Sequence, residues 1–191
     1  NKIEFDIDEI GIPIPFKWGK CKLATTSFGH GITTTPLQLA KGYAIVTNGG
    51  FDVNPTIIRE NSKELIKYKK RIIKKNVSKK INPILRKIVT SKEGTANLAD
   101  VKGYEIGGKT GTAEKIVSGT YSNQKKINTF AAVFPISNPK FVLVVILDEP
   151  QINADYIYNY RDGSNFKLKG SPRNTSGWTS VEVTGHIVEK I

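Results

Sequence analysis

The longest apolar run in the chain is Phe141 to Leu147, and a second run, Thr129 to Phe134, ends six residues before it. Runs this short read as strands, and a link as brief as Pro135 to Lys140 joins neighbouring strands only when they are antiparallel. The unbroken apolar character of Phe141 to Leu147 predicts burial on both of its faces. Tyr104 to Ala113 reads as a strand just upstream, although Gly107, Gly108 and Gly111 are unusual inside one. Seven apolar residues are too few for a membrane-crossing helix. The chain also opens without a basic-then-apolar leader.

Helices flank these strands in the sequence. Thr35-Pro36 has the form of an N-cap followed by proline at the first helical position. Leu37, Ala40 and Ala44 then recur at helical spacing, with Leu39, Tyr43 and Val46 beside them, so this helix is expected to be largely buried. Asn48-Gly49-Gly50 ends it. Val77 to Ser91 reads as a second helix, with Pro83 in its early part, Ile84, Leu85, Ile88 and Val89 as its apolar stripe, and Gly94 as its end. Val181, Thr184, Ile187, Val188 and Ile191 mark a closing helix. Residues 1–22 read as an irregular extended arm, Thr25 to Ile32 as a glycine-bearing loop, Phe51 to Ile58 as extended, and Gln151 to Gly177 as a long loop. The fold class is therefore α+β, with helices packed on an antiparallel sheet.

The net charge of +12 is lopsided. Lys63 to Lys92 carries twelve Lys or Arg and one acid, whereas the other 161 residues carry 17 basic and 16 acidic side chains. Within it, residues 63–80 read as a basic connector. A nucleic-acid or anionic-membrane patch is one reading. The stretch has a single aromatic, Tyr68, to stack on bases, and Lys, Ile and Asn together make 62 of the 191 residues. All three have AT-rich codons. A solvated linker and an exposed helix face account for the charge, and nucleic acid is not expected as a partner. Cys21 is the only cysteine, so it forms no internal disulfide, and with only His30 and His186 beside it no zinc-type ligand set can be spelled. No cofactor is expected. The chain has no methionine and opens Asn1-Lys2-Ile3, from which a processed, truncated or excised piece is expected, with essential residues upstream.

The informative motif is Gly108-Lys109-Thr110-Gly111-Thr112. A glycine inside a strand marks close approach by a ligand or another backbone. On a regular strand Lys109 and Gly111 share one face, and Thr110 and Thr112 the other. A lysine, hydroxyls and free backbone N–H groups suit a carboxylate and an oxyanion. Residues 103–110 also spell G-x-x-x-x-G-K-T, the phosphate-binding loop pattern. That loop follows an apolar strand and opens a helix, whereas here a polar stretch precedes and Gly111 follows at once.

Further blocks lie around this motif. Ser27-Phe28-Gly29-His30-Gly31-Ile32, Thr35 to Ala40, Tyr43-Ala44, Asn48-Gly49-Gly50, Gly94-Thr95-Ala96, Gly108 to Ala113 and Asp148-Glu149-Pro150 follow one another across roughly residues 23–150. In order and spacing they resemble the penicillin-binding proteins. Ala113-Glu114-Lys115, with no Trp directly before Phe130, resembles the class B, monofunctional group. Gly177-Trp178 before the closing helix is similar to its division-type members from alphaproteobacteria.

The resemblance implies a penicillin-binding-protein/β-lactamase-like fold, of which residues 1–191 would be the C-terminal portion: the last three strands and the closing helix. It implies a D,D-transpeptidase that cross-links peptidoglycan by serine acyl transfer, with β-lactams as covalent inhibitors. The family uses three motifs, S-x-x-K, S-x-N and K-T-G. By match to the third, Lys109 would hold the proton network. Thr110 and Thr112 would bind the substrate carboxylate, the Thr112 N–H would give half of the oxyanion hole, and Gly111 would leave room for the acyl chain. Lys109 and Thr112 would be the catalytic pair, and Thr110, Gly111 and Thr112 the substrate-binding set. No S-x-N occurs in the chain. S-x-x-K is spelled from Ser122, Ser137 and Ser164, all after Lys109, which is unremarkable with eleven serines and 24 lysines. The nucleophile is therefore expected upstream, and the chain alone is expected to be inactive. The implied partners are the upstream part of the same polypeptide, peptidoglycan stem peptides, and division or elongation proteins. The implied location is the periplasmic face of the bacterial inner membrane, with the anchor upstream. A non-catalytic remnant or split-gene product, and a basic nucleic-acid-binding module, stand as alternatives.

Overall fold

A computed structural model of the chain describes residues 19–27, 29, 34–55, 70–170 and 173–191. Expectations for the N-terminal arm through residue 18, for most of the loop after Ser27, and for residues 56–69, including much of the basic connector, fall outside these residues.

Three antiparallel strands form the central sheet in the order β1-β2-β3: β1 is Gly107–Val117, β2 is Thr120–Phe134 and β3 is Phe141–Asp148. The expected hairpin across residues 135–140 is present, with Phe134 opposite Phe141 and Ile127 opposite Asp148. β1 starts three residues later than the expected strand, because Glu105 takes a left-handed φ of 49° in the turn before it. β1 and β2 also run well past the expected ends at Ala113 and Thr129. The reason is a two-residue turn, Ser118-Gly119, with φ of 51° and 83°. Positive φ at both positions matches the right-handed twist of a tight hairpin, and Val117 pairs with Thr120 directly across it.

Four α-helices lie among the described residues: α1, Lys22–Ser27; α2, Pro36–Thr47; α3, Lys75–Thr90; and α4, Ser180–Glu189. α1 occupies the start of what the sequence suggested was a loop. Its hydroxyls turn back onto the helix, Thr25 Oγ1 to the Lys22 carbonyl and Ser27 Oγ to that of Ala24. α2 opens with a capping box: Thr35 Oγ1 accepts the Gln38 N–H at 3.1 Å, and Gln38 Oε1 accepts the Thr35 N–H at 3.0 Å. At its other end Asn48 Oδ1 accepts the N–H groups of Gly50 and Phe51. A Cβ on Gly50 would stand 1.8 Å from the Ile73 carbonyl oxygen, so only glycine lets residues 50 and 73 approach.

Two layers cover the sheet. On one face, Phe130, Ala132 and Phe134 pack with Val181 and Val188 of α4 and with Leu98 and Ala99 of a 3₁₀ turn, Asn97–Ala99. On the other, Val133 packs with Leu85 of α3 and Ile136, flanked by Tyr43, Ile81 and Val142. Adjacent residues of β2 thus serve opposite cores, as the two-residue period of a strand requires. α3 is tied to its surroundings by Ser78 Oγ, which donates to the Val46 carbonyl, and by Asn82 Nδ2, which donates to the carbonyls of Thr47 and Ile136.

Several burial expectations are corrected. α2 is half-buried, with only Ile45 and Thr47 fully enclosed, because α3 and the sheet meet it from one side. Ile84 leaves the expected stripe of α3 and is exposed, while Ile81 takes its place against the sheet. The helix begins at Lys75, so Lys75, Lys79 and Lys80 stand on its solvent side. β3 is buried only at Val145, and Phe141 and Ile146 are exposed, since β3 is an edge strand among the described residues. Residues 151–177 are not one long loop. They carry a short hairpin, β4 (Ile157–Asn159) with β5 (Lys167–Lys169), and a 3₁₀ turn at Ser176–Trp178. Three-residue strands are too short to show a period. Ile187 and Ile191, expected on the inner stripe of the closing helix, are exposed.

An internal ion pair fixes this C-terminal region. Arg161 NH1 and NH2 donate to the two carboxylate oxygens of Glu182 at 2.8 and 3.0 Å, and NH1 also donates to the Leu98 carbonyl at 2.9 Å. Tyr156 OH donates to Glu182 Oε1 and also meets His186 Nε2 at 3.0 Å. Burial, together with the hydrogen bond to Glu182, pushes the Tyr156 phenol up to about 12.

Candidate active site

β1 is buried where it begins and open where it ends. Gly107 and Gly108 are enclosed, and a Cβ on Gly108 would lie 2.5 Å from the Ala131 carbonyl oxygen and 2.7 Å from the Phe130 ring. These two glycines serve packing. Gly111 differs: among the described residues other than its chain neighbours, the only atom near a Cβ placed there is Thr129 Cβ, at 4.0 Å. No close packing among the described residues requires a glycine at 111.

Lys109, Thr110, Gly111 and Thr112 follow one another along the exposed part of β1 in unbroken register with Ala131, Phe130, Thr129 and Asn128. Among the described residues β1 has no partner on its other edge. Lys109 is exposed, its ammonium donates to the Thr110 carbonyl at 2.8 Å, and among the described residues it has no acidic partner. The next lysine on the strand contrasts with it. Lys115 binds Asp148 at 3.0 Å and Glu149 at 2.8 Å. The Glu149 and Asp148 hydrogen bonds raise the Lys115 ammonium above its ordinary range, and the Lys115 bond lowers the Glu149 carboxyl.

The two threonine hydroxyls are met by different segments. Thr110 Oγ1 lies 2.9 Å from Thr95 Oγ1, in the turn that follows α3. Thr112 Oγ1 lies 2.9 Å from Ser176 Oγ and accepts the Ser176 N–H at 3.0 Å, while Ser176 Oγ donates to the Gly111 carbonyl. A Cβ on Gly177 would come within 2.6 Å of the Thr95 carbonyl oxygen, so the 3₁₀ turn sits directly on the Thr95 loop. Asn128, opposite Thr112 on β2, is fully buried. Its Nδ2 donates to Asn174 Oδ1 and Thr179 Oγ1 at 2.7 and 2.9 Å, and its Oδ1 has no partner among the described residues. Beside Thr112 lies an open depression of about 250 Å³, lined also by Glu114, Tyr121 and Lys126.

Thus all four motif residues expected from the sequence stand on one exposed strand. Ser176 and Asn128 were not anticipated. A visible signal for Asn128 is a polar side chain set beside the apolar stretch of β2, and Ser176 stands one residue before the Gly177-Trp178 pair. The structure agrees with the rejection of the phosphate-loop spelling: Gly108 to Thr110 lies within a strand that leads into a hairpin, so no helix N-terminus follows it. Ser122, Ser137 and Ser164 stand at a strand start or in turns, and none opens a helix. Ser122 Oγ accepts the Lys125 N–H, Ser137 Oγ donates to Glu105, and Ser164 Oγ accepts the Phe166 N–H. Among the described residues, no group of three or more His, Cys, Asp or Glu could hold a metal ion, and no helix is long and apolar enough to cross a membrane.

Comparison with known proteins gives consistent matches. The family profile of the penicillin binding protein transpeptidase domain matches residues 1–165. A probable peptidoglycan D,D-transpeptidase FtsI of Caulobacter vibrioides is 31% identical over 194 residues, covering 97% of this chain and 30% of the relative. A probable peptidoglycan D,D-transpeptidase PenA of Neisseria flavescens is 37% identical over 140 residues, covering 73% of this chain and 34% of the relative. The chain thus spans about a third of the length of these curated relatives. Among solved structures, the apo transpeptidase domain of penicillin-binding protein 3 from Burkholderia pseudomallei superposes with a TM-score of 0.69 at 28% identity, covering 90% of this chain and 46% of that one. Penicillin-binding protein 3 of Mycobacterium tuberculosis, complexed with aztreonam, gives 0.66 at 23% identity, covering 91% and 39%, and shares the fold.

Proposed function

The chain belongs to the penicillin-binding protein transpeptidase domain family, and on that premise we propose that its Lys109-Thr110-Gly111-Thr112 strand is the third motif of a serine D,D-transpeptidase site. The observation that carries this reading is the open edge of β1: a lysine ammonium without an acidic partner among the described residues, beside a glycine with free space around it.

The reaction is acyl transfer between peptidoglycan stem peptides. A serine hydroxyl attacks the penultimate D-Ala carbonyl, the new O–C bond forms, and the terminal D-Ala departs with the proton from the serine. The amine of a second stem then displaces the serine oxygen and closes the cross-link. In this scheme the Lys109 ammonium favours the anionic charge of the substrate and holds the proton network of the site. The Thr110 and Thr112 hydroxyls face the terminal carboxylate, and the Thr112 N–H contributes to the oxyanion hole. The open space beside Gly111 takes the acyl chain. A β-lactam follows the first half of this course and stops at the acyl-enzyme. The aztreonam complex of a protein with the same fold supports that extension.

The nucleophile in this proposal lies outside these 191 residues, which alone are not acylated. None of the three S-x-x-K spellings opens a helix, and S-x-N is absent from the sequence. The whole polypeptide would then work on the periplasmic face of the inner membrane, on lipid-linked peptidoglycan precursor. A division role is favoured by the likeness to an FtsI-named relative. The test is to treat the full-length gene product with benzylpenicillin and map the penicilloyl adduct by peptide mass spectrometry. One adduct on a serine outside residues 1–191 is expected. An adduct on Ser122, Ser137 or Ser164, or none anywhere, would contradict the proposal.

A further inference from the structure

Ser176 bonds directly to Gly111 and Thr112 of the motif, and the hydrogen bonds around it admit one assignment of protons. The Gly111 carbonyl can only accept, so the single Ser176 hydroxyl proton goes to it. Ser176 then has no proton left for Thr112. The 2.9 Å contact between the two hydroxyls is therefore made by the Thr112 proton, with Ser176 Oγ accepting. The Ser176 backbone N–H fills a lone pair of Thr112 Oγ1 at 3.0 Å. Every proton in the group is spent inside the protein. Thr112, although exposed, is left with a lone pair and no proton to offer a ligand.

Ser176 is held firmly in this role. It is fully buried, and Ser180 Oγ donates to its carbonyl at 3.3 Å. Its neighbours are fixed as well: Gly177 rests on the Thr95 backbone, and Thr179 and Asn174 both accept from Asn128. The segment cannot swing away from β1 without breaking these contacts. The hydroxyl proton of Thr112 is the part of the group that can move.

We propose that Ser176 is a positioning residue that withholds the Thr112 hydroxyl proton from an anionic ligand, so that Thr112 grips a carboxylate only by breaking its bond to Ser176. The proposal rests on the transpeptidase reading, because it concerns the carboxylate that this reading places against Thr112. Recognition of the carboxylate in the resting strand then falls to Lys109 and Thr110, and Thr112 adds to it at the cost of one internal hydrogen bond. A restrained grip suits a reaction in which the leaving D-Ala carries that same carboxylate away.

The experiment uses the full-length gene product and two probes, benzylpenicillin and its methyl ester, which differ at the carboxylate. Second-order acylation rates are measured for both, and the ratio of acid to ester is the readout. Ser176→Ala keeps the backbone N–H and deletes the competing acceptor. The ratio is expected to rise about fivefold, the worth of one ordinary hydrogen bond. Ser176→Cys keeps the side-chain volume and weakens the acceptor, and it should move the ratio the same way by less; it carries the test if the alanine variant does not fold. Adding Thr112→Val to either variant should abolish the gain, since the gain needs the Thr112 proton. A ratio that stays constant, or rates that fall equally for acid and ester, would make Ser176 a structural brace only and overturn the proposal. A wild-type protein that takes up no penicilloyl group would overturn the transpeptidase reading itself, and the inference with it.

Discussion

Two cationic side chains in this molecule live under opposite rules. Arg161 is enclosed, with both ends of its guanidinium on Glu182, a third bond to the Leu98 carbonyl and a fourth to Glu189. Lys109 is exposed at the edge of β1 and, among the described residues, has only the neighbouring Thr110 carbonyl. A charge deep in a protein persists only when it is paired and its donors are used, because desolvation is otherwise too costly. A charge left without its counter-ion on an open strand costs little in stability. It remains available to a ligand that brings the opposite charge. The difference teaches where to look: the satisfied pair holds the C-terminal region in place, and the lysine with no acidic partner among the described residues stands in the proposed site.

The sharpest way to break this comparison is to unpair the buried charge. Glu182→Ala strips Arg161 of its two-oxygen partner and leaves it enclosed with only the half-exposed Glu189 carboxylate at its Nε, and a loss of roughly 3–5 kcal/mol in unfolding free energy is expected. Denaturant unfolding of the full-length protein, followed at the transpeptidase domain, checks it. Replacing both partners together, Arg161→Met with Glu182→Leu, should cost far less, because neither charge is then stranded. If the single and double variants lost equal stability, the pair would matter as packing rather than as charge.

A smaller effect should appear with pH. The folded protein keeps the Tyr156 proton up to about 12, whereas an unfolded chain releases it near the ordinary value of 10.0. A raised pKa means that the folded state holds the proton more tightly. The stabilisation is therefore complete below pH 10 and is lost as the pH rises toward 12. Stability measured across that window should decline, and Tyr156→Phe should make the decline shallower. An unchanged slope in the phenylalanine variant would detach Tyr156 from the Glu182 pair.

Much of this architecture could be read from residue order. The hairpin through residues 135–140, the capped helix after Thr35 and the exposed motif strand followed from period, capping residues and glycine placement. What escaped reading was set by contacts distant in sequence. Whether Phe141 and Ile146 are buried depends on how many neighbours β3 has, which a local pattern does not contain. The length of β1 and β2 hung on Ser118-Gly119, a turn signal visible in the sequence but overshadowed by the apolar run that followed. The bonds from Ser176 to Gly111 and Thr112 join residues about 65 positions apart, and no spacing rule reaches that far. The motif itself was legible because its chemistry sits in consecutive residues.

The central claim is that Lys109 serves chemistry and not the fold. It is tested most directly by Lys109→Ala in the full-length protein, with benzylpenicillin acylation and thermal unfolding measured on one preparation. Acylation should slow by about 10²–10³-fold, the usual consequence of removing one group that stabilises developing charge. The unfolding transition should stay within about 0.5 kcal/mol of wild type, as for an exposed side chain whose only partner among the described residues is a neighbouring carbonyl. Acylation at the wild-type rate, or a loss of stability large enough to account for slower acylation, would contradict the account.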